Sequence, residues 1–211
     1  MVQRCRQGLR QPYTMAGQIT KAASCDAVFY WESMRYKATL MDEVSVSRAL
    51  KRISHEILEK NNGAENICII GIQRRGIPLA QIIADNIEKI EDKTVPVGSI
   101  DITFYRDDLT NRSRDPIVQE ASIPFSIENK AVILVDDVVY TGRTARAAID
   151  GLMQHGRPAS IQFAALIDRG HRELPIRGDY VGKNVPTSKN ERIAVRIPPY
   201  DETTSVELYD I

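Results

Sequence analysis

The chain has 211 residues, enough for one ordinary domain whose apolar core needs neither metal nor disulfides to hold together. Lysine plus arginine and aspartate plus glutamate each total 28, which excludes a globally basic or acidic surface and leaves only local segregation of charge. Three scattered cysteines (Cys5, Cys25, Cys68) exclude a disulfide framework, and no apolar run could span a bilayer or form a signal-peptide core, so a reducing, cytoplasmic setting without a membrane partner is expected.

Residues 1–36 lack a sustained period and are poor in acids, although they hold the lone tryptophan, Trp31. Two readings stay open for them: a disordered extension, or a start assigned too early with the true one at Met34. A loose likeness to a transit peptide has no amphipathic helix behind it. The folded domain is expected over 37–211. From Asp42 onward, Val46, Ala49, Leu50, Ile53, Ile57 and Leu58 recur at helical spacing, and Asn62-Gly63 supplies a stop. Ile67 to Ile72 (ICIIGI) reads as a buried strand, with Cys68 an inert thiol inside it, and Gly71 to Gly76 as the turn that follows. Pro78 suits the first turn of a second helix carrying Leu79, Ile82, Ile83 and Ile90. Val95 to Phe104 is a second strand, Tyr105 to Pro116 a charged loop, and Ala131 to Val135 a third strand. A helix over about Gly142 to His155 places Ala145, Ala148, Ile149 and Leu152 on one face. Ile161 to Ile167 is a fourth strand, after which short runs at Ile193 to Ile197 and Val206 to Tyr209 alternate with Pro/Gly turns. Strand alternating with helix predicts an α/β fold, a mostly parallel sheet covered on both faces, with ligands beyond the carboxyl ends of its strands.

One stretch carries chemistry. Val132 to Ala145 reads VILVDDVVYTGRTA: an apolar strand, two adjacent acids, then a hydroxyl- and glycine-bearing turn that opens a helix. Unpaired backbone N–H groups and the positive helix end attract a phosphate there, Thr141 and Thr144 add hydroxyls, and Gly142 admits close approach. Asp136 and Asp137 would repel that phosphate; they suit vicinal sugar hydroxyls or a divalent cation. A ligand with a phosphate at one end and a polyol or metal nearby satisfies both halves.

These residues resemble the phosphoribosyl-diphosphate (PRPP) motif of the type I phosphoribosyltransferases. By that resemblance the loop Val138, Val139, Tyr140, Thr141, Gly142, Arg143 and Thr144 holds the 5′-phosphate, while Asp136 and Asp137 face the ribose. Tyr140 stands where hypoxanthine-type members carry an aspartate for the purine N7 proton, which argues against a 6-oxopurine acceptor; loop packing and ligand contact both remain open for it. The run DRGHRELPIRGDYVGKNVPTS (168–188), with IDITFYRDDLT and GIQRRGI, resembles the PyrR family, bifunctional pyrimidine-operon attenuation regulators with uracil phosphoribosyltransferase activity. That resemblance spans about Lys37 to Ile211.

The resemblance implies a type I phosphoribosyltransferase fold with a small C-terminal hood and the reaction of uracil with PRPP to give UMP and diphosphate, with Mg²⁺ carried mainly by PRPP. GIQRRGI becomes the pyrophosphate loop, with a cis peptide expected between Arg74 and Arg75 and Arg75 the favoured ligand. Asp136, Asp137 and Arg75 are the expected catalytic groups. Tyr105 to Pro116 reads either as a solvated hairpin tip or as a lid, with Arg106 its phosphate contact. Arg169 and the backbone near Val181 are expected at the base. Regulation implies a pyr mRNA leader as partner, bound under control of UMP or UTP, and self-association into a dimer or higher oligomer. Lys51, Arg52 and His55 on the first helix, beside Arg48, and Arg172, Arg177 and Lys183 from the hood segment are candidate RNA contacts; interspersed acids leave a merely solvated surface open. A salvage enzyme without RNA binding, or a regulator with residual activity, are the alternatives.

Overall fold

The computed structural model describes residues 34–102 and 121–211. The N-terminal segment 1–33, Arg106 and the Tyr105 to Pro116 loop lie outside the described residues. Strand β2 (Ile67–Ile72), β3 (Val97–Ile100), β4 (Ala131–Val139), β5 (Ser160–Asp168) and β6 (Tyr180–Asn184) form a five-stranded sheet in the order β3-β2-β4-β5-β6. Every described pairing in it is parallel. Helices α1 (Glu43–Asn61), α2 (Gly76–Glu91) and α3 (Arg143–Leu152) cover it.

The period of two within the strands divides the core. Ile67, Ile69, Ile133 and Val135 join α1 and α2 residues such as Ile53, Ile57, Leu79 and Ile83 on one side. Cys68, Ile70, Val132 and Leu134 pack with Ala148 and Leu152 of α3 on the other. Strands buried on both faces need unbroken apolar runs, which is why ICIIGI and AVILV were legible. Cys68 is fully buried, and desolvation pushes its thiol up to about 11, in keeping with an inert core group. Local signals set the helix ends: Asp42 accepts from the Ser45 N–H at 2.8 Å, and Asn62 adopts the left-handed conformation at φ 54°.

Four features depart from expectation. First, β4 does not stop at Val135; Asp136 pairs with Ala165 and Val138 with Ile167, so the acid pair lies inside a strand that ladder bonds extend to Val139. Second, β3 covers only Val97–Ile100 among the described residues, and α3 ends at Leu152 rather than His155. Third, β6 was not foreseen, because YVGKN has neither the apolar run nor a clean alternation. Fourth, the hood is not purely C-terminal. Strand β1 (Arg35–Met41) pairs antiparallel with β8 (Ser205–Asp210), which pairs with β7 (Glu191–Arg196), giving a separate three-stranded sheet. Among the described residues the first strand thus includes Arg35 and Tyr36, within the segment expected to lie outside the domain, because they find ladder partners in Asp210 and Tyr209.

Candidate active site

The carboxyl end of β4 runs into a cleft of about 220 Å³ lined by Asp136, residues 138–145 and Phe163. Gly142 is the N-cap of α3 at φ 90°, a conformation open to glycine, and it brings no side chain of its own to cap the helix. The start of a helix presents further amides that suit an anionic ligand. Arg143 N donates to Thr141 Oγ1 at 3.3 Å, which folds the turn back on itself. Asp136 is buried, at 6% exposure, and its Oδ1 accepts from Asp137 N at 2.9 Å. Asp137 in turn accepts from Val138 N at 2.8 Å. Burial pushes the Asp137 carboxyl above the ordinary aspartate value; hydrogen bonding with Asp136 and Val138 and the charge of Arg75 oppose it. Two carboxyl groups in so confined a place suit a ligand that donates hydrogen bonds or brings positive charge.

The second strand-to-helix turn lies beside the first. A Cβ on Gly76 would sit 2.4 Å from the Val135 carbonyl oxygen, and one on Gly71 would sit 2.6 Å from the Gly76 carbonyl oxygen, so both must be glycine for α2 to start against β4. The cis peptide falls at Gln73–Arg74, one bond earlier than expected, because β2 ends at Ile72 and the turn opens at Gln73. Arg74 is exposed, whereas Arg75 is half-buried and gripped by Asp201 through three contacts of 3.0–3.2 Å.

The segment after β5 forms the outer wall. Glu173 N and Leu174 N donate to the Thr141 carbonyl at 3.0 and 3.1 Å, and Arg143 pairs with Glu173 at 2.9 Å. Arg169, at 8% exposure, lies 4.1 Å from the Tyr140 ring centroid, a cation–π contact; His171 meets the same ring edge-on at 5.7 Å. Arg169 is also tied to Thr187 Oγ1 at 3.1 Å and the Glu191 carbonyl at 2.7 Å. Arg169 and Tyr140 therefore come together. Val181 does not join them: it pairs with Ala165, three residues short of the β5 end, and its carbonyl accepts from Arg52 Nη2 at 2.9 Å. Asp201 and Glu173 were missed by the sequence reading; each matters only through a distant partner, and no local pattern marks it.

The phosphoribosyl transferase domain family matches residues 40–202. The bifunctional protein PyrR of Clostridium novyi (strain NT) is 55% identical over 177 residues, covering 84% of this chain and 99% of its own. Its counterpart in Acetivibrio thermocellus is 58% identical over 175 residues, covering 83% and 95%. The chain belongs to the PyrR family of phosphoribosyltransferases. Solved structures of hypoxanthine phosphoribosyltransferase from Trypanosoma cruzi (19% identity, TM-score 0.65, covering 83% of this chain and 97% of that one) and of hypoxanthine-guanine phosphoribosyltransferase from Bacillus anthracis (20%, 0.63, covering 82% and 98%) share the fold.

For a PyrR-family chain the basic residues are of particular interest. Packing of α1 against β6 brings the first-helix cluster to the strand that carries Lys183, with Arg52 bonding both Val181 O and Gly182 O. Several candidates are already engaged within the chain: Arg52 also with Glu56, Arg172 with the buried Asp168, and Lys183 with the Leu40 carbonyl. Lys51, His55 and Arg177 are exposed and make no such bond among the described residues. No helix among the described residues is long and apolar enough to cross a membrane.

Proposed function

We propose that the protein is a uracil phosphoribosyltransferase, converting uracil and PRPP to UMP and diphosphate, and a uridine-nucleotide-dependent regulator of pyr mRNA. The observation that carries the catalytic half is the glycine-capped start of α3, with Gly142 at φ 90°, beside the Asp136–Asp137 pair. Thr141, Thr144 and the α3 amides hold the 5′-phosphate of PRPP or UMP. Asp136 and Asp137 accept hydrogen bonds from the ribose hydroxyls and favour the positive charge that builds on the ring as the anomeric bond breaks. Arg75 and the amides of its loop receive the departing diphosphate. Tyr140, held by Arg169, walls the base and disfavours a purine.

Mg²⁺ binds through one or two carboxylates with substrate phosphates supplying the rest, so it needs no all-protein cage. Among the described residues no cluster of three or more candidate ligands occurs, while the Asp136–Asp137 pair supplies hard oxygens, and this donor set fits an ion brought with PRPP. Bound there, the ion would supply charge neutralisation at the leaving diphosphate. The protein acts in the cytoplasm and self-associates.

The regulatory half places RNA on the face where α1 meets β6, through Lys51, His55 and Arg177 together with Arg52, Arg172 and Lys183. Because several of these are engaged within the chain, a salvage enzyme without RNA binding is the second reading. UMP formation by wild-type protein, compared with guanine and hypoxanthine as acceptors, tests the enzyme. A gel shift with the pyr leader at graded salt, with and without UMP, separates the two readings: salt-sensitive binding strengthened by UMP is expected, and its absence leaves the salvage enzyme.

A further inference from the structure

Asp201 lies in the connection between β7 and β8, far in sequence from the loop it touches. It is pinned from several sides. Its Oδ2 accepts from Ile197 N at 3.0 Å, and its own N–H donates to the Ile197 carbonyl at 3.1 Å. Arg196 Nη1 stands 3.8 Å from its Oδ1, and Arg196 is itself fixed by Glu207 at 2.8 Å and the Tyr209 hydroxyl at 3.0 Å. Charges therefore alternate along Glu207, Arg196, Asp201 and Arg75, ending at the loop between β2 and α2. Asp201 is 12% exposed at its side chain and Arg75 35%, so the carboxylate is the fixed member and the guanidinium keeps an open side.

Arg75 has a competing destination. The next residue, Gly76, abuts the Val135 carbonyl and the Asp136 Cα, so the turn that carries Arg75 lies beside the acid pair, and the charge of Arg75 acts on Asp137. An arginine on a flexible stem, unrestrained, would fold onto those carboxylates and neutralise the groups that must face the sugar. The pairing with Asp201 engages the Nε–H and Nη2, which reaches both carboxylate oxygens, and leaves the N–H groups of Nη1 for an anion. We propose that Asp201 is the positioning residue of the diphosphate subsite: it holds Arg75 off the Asp136–Asp137 pair and presents its remaining N–H groups to the diphosphate of PRPP. This rests on reading the β2–α2 turn as the diphosphate loop. The second sheet thereby supplies the fixed end of a clamp whose working end belongs to the first.

D201N in the full chain tests it, since asparagine keeps an acceptor for Ile197 N–H while losing the charge and the second carboxylate oxygen. The Kd for inorganic pyrophosphate and the KM for PRPP should rise roughly tenfold or more. UMP, which has no diphosphate, should bind within about twofold of wild type, a change too small to mark a lost ion pair. D201E should recover most of the loss. In an R75A background, D201N should add nothing further. Equal losses for UMP and pyrophosphate would show a merely structural residue and overturn the proposal, as would an undiminished D201N effect in R75A. Wild-type protein that bound UMP but neither PRPP nor pyrophosphate would overturn the diphosphate loop itself, and is told apart because no variant is needed to see it.

Discussion

Two strand-to-helix turns meet at the carboxyl edge of the parallel sheet, and they are built differently. The turn after β4 carries its own instructions: acids in the last strand residues, a glycine at positive φ, hydroxyls and a helix start all fall between Asp136 and Thr144. The turn after β2 places two arginines at the same edge, but the orientation of Arg75 comes from Asp201, 126 positions away in the connection between β7 and β8. A cradle of the kind proposed after β4 can be written locally, because backbone amides would do the binding. A side-chain clamp cannot, because a long flexible arginine needs a partner brought by the fold.

Substitutions can break this contrast. The largest effect is expected in the self-contained turn: D136N should lower UMP formation roughly a hundredfold or more, the scale of losing a preorganised electrostatic group, as read by steady-state kinetics. Near-normal turnover would remove the acid pair from the mechanism. R75A should be more selective, raising the PRPP KM by roughly tenfold while UMP affinity by calorimetry stays close to wild type. If UMP weakened equally, the two turns would not be separable subsites. G142A imposes a side chain at φ 90°, where its Cβ would also meet Leu174 at 3.4 Å; roughly a fivefold loss of UMP affinity is expected, from about 1 kcal/mol of backbone strain.

Two smaller effects sharpen the picture. Burial raises the Asp137 carboxyl, so the folded protein binds more protons than the unfolded chain between the ordinary aspartate value and the raised one. Its contribution to stability is therefore present at low pH and lost as pH rises through the raised value. D137N should accordingly melt a few degrees higher than wild type near neutral pH, with the gap closing in acid, while activity is lost. In filter-binding titrations with the pyr leader, R177A should weaken RNA affinity and flatten its salt dependence by about one unit of slope. R52A should act instead through stability, since its guanidinium ties α1 to the Val181 and Gly182 carbonyls.

Much of the fold was legible because its determinants are short-range. ICIIGI and AVILV must be strands buried on both faces, and Asn62-Gly63 must end α1. The same locality made Asp136 to Thr144 readable as a strand end, a glycine turn and a helix start. What escaped were elements whose residues make sense only against a partner. RYKATLM offers no strand pattern of its own, yet β8 recruits it, and YVGKN becomes β6 because β5 offers its edge. The base-side expectation divided in the same way: Arg169 reaches Tyr140 across the site, whereas Val181 is taken up by Arg52 of α1.

By itself, then, the sequence determined the parallel sheet and the glycine-bearing turn that leads from β4 into α3, since apolar periodicity, a glycine and a helix start are properties of neighbouring residues. Only the tertiary structure decided that β1 closes the second sheet, that the acid pair sits within a strand, and that Asp201 commands Arg75. The physical reason is that a strand ladder and an ion pair each need two partners, and here the partners are far apart in the chain.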